Sequence, residues 1–90
     1  MHIKNATLFS VGDTVLITNN TDHCPGMVTA IQLFEIQVKF MQNVGRNQWI
    51  WPVRENRKWC NFKDVKQLLP SLLCAVGTSK RVSHYQLLDK

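Results

Sequence analysis

Hydrophobic and polar positions along this chain follow a period of two more clearly than one of 3.6. The cleanest stretch runs from Glu35 to Met41, where Ile36, Val38 and Phe40 alternate with Glu35, Gln37 and Lys39. Successive side chains of a strand point to opposite faces, so this pattern predicts a half-buried antiparallel strand. Upstream, Phe9 to Asp13 begins the structured part, and Gly12-Asp13 reads as a turn into a short β-branched strand, Thr14 to Thr18. Asn19 to Pro25 reads as a loop by composition, and Gly26 to Ile31 as the second strand. After the third strand, Gln42 to Asn47 reads as a turn around Gly45. Gln48 to Trp51 is then a fourth strand that Pro52 ends or confines to an edge.

The remainder is less regular. Arg54 to Lys58 is a polar link. Between Phe62 and Leu69, the apolar residues Phe62, Val65, Leu68 and Leu69 fit a helical spacing, while Val65 to Leu69 equally fits a short strand after a turn at Asp64. Pro70 closes that element. Ser71 to Val76 is a strand or a short helix, Thr78 to Arg81 a polar loop, and Tyr85 to Leu88 a final strand. Short strands with tight connections in about sixty residues are too small for a large sandwich and suit a strongly bent antiparallel barrel. The expected fold is therefore all-β, a small barrel of about five short strands. Residues 1–8 form an N-terminal arm, 9–69 the barrel, and 70–90 a C-terminal extension packed on the barrel or on a partner.

Three tryptophans change this picture most. Trp49, Trp51 and Trp59 fall within eleven residues. Trp49 and Trp51 are two apart, so a strand through both gives them one face and Ile50 the other. They either close the core, cover a seam beneath the C-terminal extension, or form a binding surface. Trp59, with Arg57 and Lys58 before it, is expected at the surface, stacked on a ligand or packed against Leu72 or Leu73.

Composition narrows the rest. An apolar fraction of 44% suits a globular chain, and ninety residues make one domain with room for one core. No apolar run approaches the roughly 20 residues that span a bilayer, and no signal-peptide pattern follows Met1, so no membrane partner is expected. Eleven Lys and Arg against six Asp and Glu give a net charge of +5, which suits an acidic partner or simple solubility. Arg46, Arg54, Arg57, Lys58, Lys63 and Lys66 are the candidate basic surface for DNA or RNA, or else a solvated face. Cys24, Cys60 and Cys74 are odd in number and lack C-x2-C spacing, which predicts reduced intracellular thiols. The same lack of paired ligands, with only His23-Cys24 adjacent and His84 remote, argues against a metal. The Asn-x-Thr matches at Asn5 and Asn19 read as chance. No phosphate loop or paired carboxylates appear, and a Cys–His pair alone lacks an orienting third group, so neither catalysis nor a cofactor is expected.

Phe9-Ser10-Val11-Gly12-Asp13-Thr14-Val15-Leu16-Ile17, then Pro25 to Ile31, then Ile36 to Phe40 resemble the opening strands of the SH3-like barrel superfamily of Tudor, chromo-barrel and PWWP domains. The segments Trp49 to Pro52, Phe62 to Val65 and Tyr85 to Leu87 are loosely similar to small domains of transposable-element-related proteins. The resemblance covers roughly Phe9 to Leu69. It implies a non-enzymatic module of chromatin, intracellular and nuclear, binding a protein or peptide partner such as a histone tail. The aromatic candidates for that contact are Phe34, Phe40, Trp49, Trp51 and Trp59. Such domains often hold methylated lysine or arginine in an aromatic cage through cation–π attraction. Here the first loop, Asn19 to Cys24, has no Phe, Tyr or Trp, so any cage is atypical. The apolar extension adds self-association as a further expectation.

Overall fold

The computed structural model describes residues 9–19, 22–79 and 81–88, so the expected N-terminal arm lies outside the described residues. Among them are nine strands and no α-helix: β1 Thr14–Asn19, β2 Asp22–Ile31, β3 Glu35–Phe40, β4 Gln42–Gly45, β5 Gln48–Ile50, β6 Arg57–Asn61, β7 Val65–Gln67, β8 Leu73–Ser79 and β9 Val82–Leu87. One-turn 3₁₀ helices, Phe62–Asp64 and Pro70–Leu72, precede β7 and β8. The strands form two antiparallel sheets, neither of them closed. The first has the order β6-β3-β2-β1-β7, the second β4-β5-β9-β8.

The first sheet is rolled, and its connectivity requires this. Edge strands β6 and β7 are joined by the single turn Phe62–Asp64. A flat five-stranded sheet would separate its edges by four spacings of about 4.8 Å. A 3₁₀ turn rises only about 2 Å per residue and cannot span that distance. Curling brings the edges together and encloses the core: Phe9, Val15, Ile17, Val28, Ile36 and Val38, with Ile31, Phe40, Cys60, Phe62 and Val65 packed against it. Val15 and Ile17 are the inward positions of the alternation in β1, and Ile36 and Val38 those of β3. Phe62 places the turn by packing its ring on Phe9, with centroids 5.3 Å apart and the planes tilted by 56°. Asn61 caps it, its side chain accepting from Lys63 N at 3.1 Å.

The Gly12-Asp13 motif has a structural task as well. Gly12 turns the chain at φ 97°. The Asp13 carboxylate accepts from Ser10 N at 2.8 Å and from the Gln67 side chain at 2.7 Å, tying the entry of β1 to β7.

Several strand limits differ from expectation. Asn19 lies in β1 and Asp22 to Pro25 in β2 rather than in a loop, with Pro25 opposite Leu16. Proline is tolerated there because the β2–β3 ladder ends at Gly26–Phe40. Gln42 to Asn47 is not one long turn but β4 and a tight reversal at Arg46-Asn47, with Asn47 at φ 52°. The ambiguous segment after Phe62 is the turn-then-strand alternative, and Leu73 onward is a strand.

The second sheet uses β4 and β5 from the middle of the chain and the hairpin β8–β9 from its end. It therefore spans the expected boundary at residues 69 and 70. Trp49 pairs with Tyr85, and the Asn47 side chain extends that seam by donating to Leu87 O at 2.8 Å and accepting from Leu87 N at 3.2 Å. None of its described residues is buried. The molecule is accordingly elongated, 49 × 30 × 23 Å, with a radius of gyration of 13.5 Å; a compact chain of this length has about 12 Å.

Candidate interaction site at the mouth of the rolled sheet

A cavity of about 600 Å³ opens on the first sheet. Ile17, Thr18, Asp22 and Cys24 from the β1–β2 hairpin line one side. Phe40 and Met41 contribute from the end of β3, and Asn56 with Lys58 to Asn61 of β6 forms another wall. Asp64 of the 3₁₀ turn completes the rim. The roll explains why these distant residues meet: it sets the β1–β2 hairpin against β6, which a flat sheet would hold well apart.

The walls are tied by backbone as well as side chains. Met41 N donates to Pro25 O at 3.0 Å, and the Cys24 thiol lies 3.6 Å from Met41 O. Thr18 Oγ1 reaches Asp64 O at 3.5 Å. Burial pushes the Cys24 thiol up, with the nearby Cys60 adding to the rise and Lys58 opposing it. Burial also raises Cys60, with Asp64 adding to the rise, Lys58 opposing it and Glu35 adding a little. Both groups therefore stay as neutral thiols near pH 7. Asp22 and Asp64 are exposed carboxylates at the rim, facing a partly apolar interior.

The five aromatic candidates do not form one surface. Phe40 packs on the core and lines the cavity. Trp59 stands on β6 opposite Gln37, at 41% exposure. Phe34 is at the β2–β3 turn, its ring exposed and its carbonyl accepting from Phe62 N at 3.1 Å. Trp49 belongs to the second sheet, where its ring N–H is buried without a hydrogen-bond partner. Trp51 lies beyond the end of β5, with the Lys39 ammonium 5.4 Å from its ring centroid. The expectation that Trp49 and Trp51 share one environment fails because the strand stops at Ile50, one residue short of carrying the alternation to Trp51.

Of the six basic candidates, five lie on or beside β6, the 3₁₀ turn and β7, and Arg46 lies on the other sheet. Arg57 is held by Glu55, donating to its Oε1 through Nε at 2.9 Å and Nη2 at 2.6 Å, and Lys39 approaches the other oxygen at 3.6 Å. The Arg57 hydrogen bond is the chief cause that keeps the Glu55 carboxyl below the usual carboxylate range. Lys58 borders the cavity, Lys63 is in the 3₁₀ turn, Lys66 on β7, Arg54 in the link before β6, and Arg46 at the β4–β5 reversal of the other sheet.

Sequence reasoning missed Asp22, Asp64 and Asn61 as rim residues. Asp22 was hidden in a stretch of loop composition. Asn61 and Asp64 carried a usable signal, the Asn-x-x-Asp spacing of a capped turn. Among the described residues, no three His, Cys, Asp or Glu side chains stand together as a metal site requires. No helix among them is long and apolar enough to cross a membrane. Comparison with protein-family models, with curated proteins and with solved structures finds no match to this chain.

Proposed function

We propose that this chain is a non-enzymatic interaction module of the nucleus and chromatin, built as a small SH3-like barrel, that docks an extended protein segment at the mouth of its rolled sheet. The observation that carries this reading is the cavity itself, set beside the outer edge of β6. The strand order β6-β3-β2-β1-β7 leaves that edge without a neighbouring strand among the described residues. An extended segment pairing with β6 gains main-chain hydrogen bonds and sends alternate side chains toward the cavity. Phe40 and Met41 offer apolar contact inside, and Asp22 and Asp64 favour a cationic side chain at the rim. The exposed ring of Trp59 extends the surface along β6. The neutral thiols of Cys24 and Cys60 support a binding rather than a catalytic role, since the thiolate is the nucleophile. Asp22 and Asp64 at the rim and Glu55 beside Arg57 interrupt the positive charge around the cavity, which favours a protein partner over nucleic acid.

The test is a titration of the 15N-labelled chain with extended peptides that differ only in carrying lysine, methylated lysine or glutamate at one position. Lysine-bearing peptides should shift amide signals of β6, Asp22 and Asp64. Asp64→Asn should weaken binding about two- to fivefold, the usual reach of an exposed charge pair. Trp59→Ala should weaken it without unfolding the chain. Shifts confined to other surfaces, or tighter binding of duplex DNA than of any peptide at low salt, would defeat the reading.

A further inference from the structure

We infer that Trp59 fixes the register of the docked segment, which lies antiparallel to β6 and reads, in its own chain direction, as a cation, a large apolar residue and an acid. The inference rests on the docking reading above and adds to it the sequence class of the partner.

The backbone sets the register. Phe40 N donates to Asn56 O at 2.8 Å, and Phe62 N donates to Phe34 O at 3.1 Å. Both bonds continue the register that sets Glu35 opposite Asn61 and Lys39 opposite Arg57. In an antiparallel ladder, pairs that exchange hydrogen bonds alternate with pairs that exchange none. Lys58 opposite Val38 and Cys60 opposite Ile36 therefore belong to the bonded series. Arg57, Trp59 and Asn61 fall between them, so their N–H and C=O groups point away from β3. They point to the edge on which no strand pairs among the described residues. Another extended polypeptide matches the repeat of these groups. Every pairing in this sheet is antiparallel, and antiparallel pairing is slightly the more stable per residue.

Side chains follow from that register. Directly opposed residues share a face. Val38 and Ile36 are fully buried, so Lys58 and Cys60 lie on the core side, where both line the cavity. Trp59 stands with Gln37 on the other face, 41% exposed. A partner residue bonded to Trp59 lies beside its ring, where a large apolar side chain gains cross-strand contact. The two neighbours of that residue point inward, the preceding one beside Cys60 and the following one beside Lys58. Charge separates these two positions. Burial raises the Cys60 thiol, and Asp64 adds to the rise more than Lys58 opposes it, which sets the Asp64 carboxylate beside Cys60. The preceding position therefore suits a cation. The following position meets the Lys58 ammonium and suits an acid, since like charges directly opposite are destabilising.

Two extended peptides of one composition test this. One carries lysine, phenylalanine and glutamate in that order between serine and threonine residues, and the other carries glutamate, phenylalanine and lysine. Titration of the 15N-labelled full chain should show the first binding about fivefold more tightly, since the reversed order misplaces two exposed charges. Binding should slow hydrogen exchange at the Arg57, Trp59 and Asn61 amides and leave Lys58 and Cys60, already bonded to β3, little changed. Lys58→Glu should abolish the preference for order, because each peptide then meets one matched and one mismatched charge. Lys58→Gln, a milder change at an exposed position, should lower the preference without abolishing it. Equal affinity of the two peptides for the parent, or a preference untouched by either folded variant, overturns the inference and leaves docking at β6 standing. Binding of neither peptide to the parent overturns the docking reading and the inference together.

Discussion

A single missing side chain fixes how closely β2 and β3 approach. Gly26 lies opposite Phe40 on β3. A Cβ built there would press on Val38 Cγ1 and stand 2.7 Å from Lys39 O. Val38 is fully buried and the carbonyl belongs to the backbone of a paired strand, so neither can give way cheaply. Gly26→Ala should therefore lower stability by about 1–3 kcal/mol, the usual cost of overpacking. Chemical denaturation measures it, and a change below about 0.5 kcal/mol would show that the strands separate more easily than this packing implies. Gly12 answers to a different demand, its positive φ, with open space where a Cβ would go. Both glycines stood out in the sequence, but only as turn and strand markers. The close contact at Gly26 depends on β3, ten and more residues away, and no local pattern encodes it.

At the scale of elements, the 3₁₀ turn Phe62–Asp64 governs the site because it draws β6 and β7 together. Its cap is one hydrogen bond, Asn61 Oδ1 to Lys63 N. Asn61→Ala should destabilise the chain by about 1 kcal/mol, while Asn61→Asp keeps the acceptor and should cost less. Thermal unfolding of the two variants side by side checks this, and equal losses would remove the cap from the account. The alternation in β3 was readable because it is half-buried and polar on one side. β4 was not readable, since Gln42 to Gly45 has turn composition and is held by pairing with β5. The tryptophans show the same limit. Spacing put Trp49 and Trp51 on one face, yet the strand ends between them and different sheets claim the two rings. Of the candidate site, Phe40, Lys58 and Trp59 were identified from the chain. Their association with Asp22 and Asp64 was not, because the roll that joins them is a property of the strand order.

The whole molecule divides its stability unevenly. Among the described residues, the buried hydrophobics all belong to the first sheet, the segment before β1, or the junction at Met41. The second sheet holds together by pairing, by the Asn47–Leu87 hydrogen bonds, and by an apolar side that is only half covered. Its backbone hydrogen bonds are thus shielded by less packing, and local opening costs less where few apolar contacts are lost. Native-state hydrogen exchange should therefore resolve two tiers. Amides of β1, β2 and β3 should exchange only through global unfolding. Those of β4, β5, β8 and β9 should exchange faster, at a common lower free energy, since β9 joins the two hairpins. Equal protection in both sheets of the dilute protein would mean that the chain opens as one unit, and that the second sheet is stabilised by contacts other than those described.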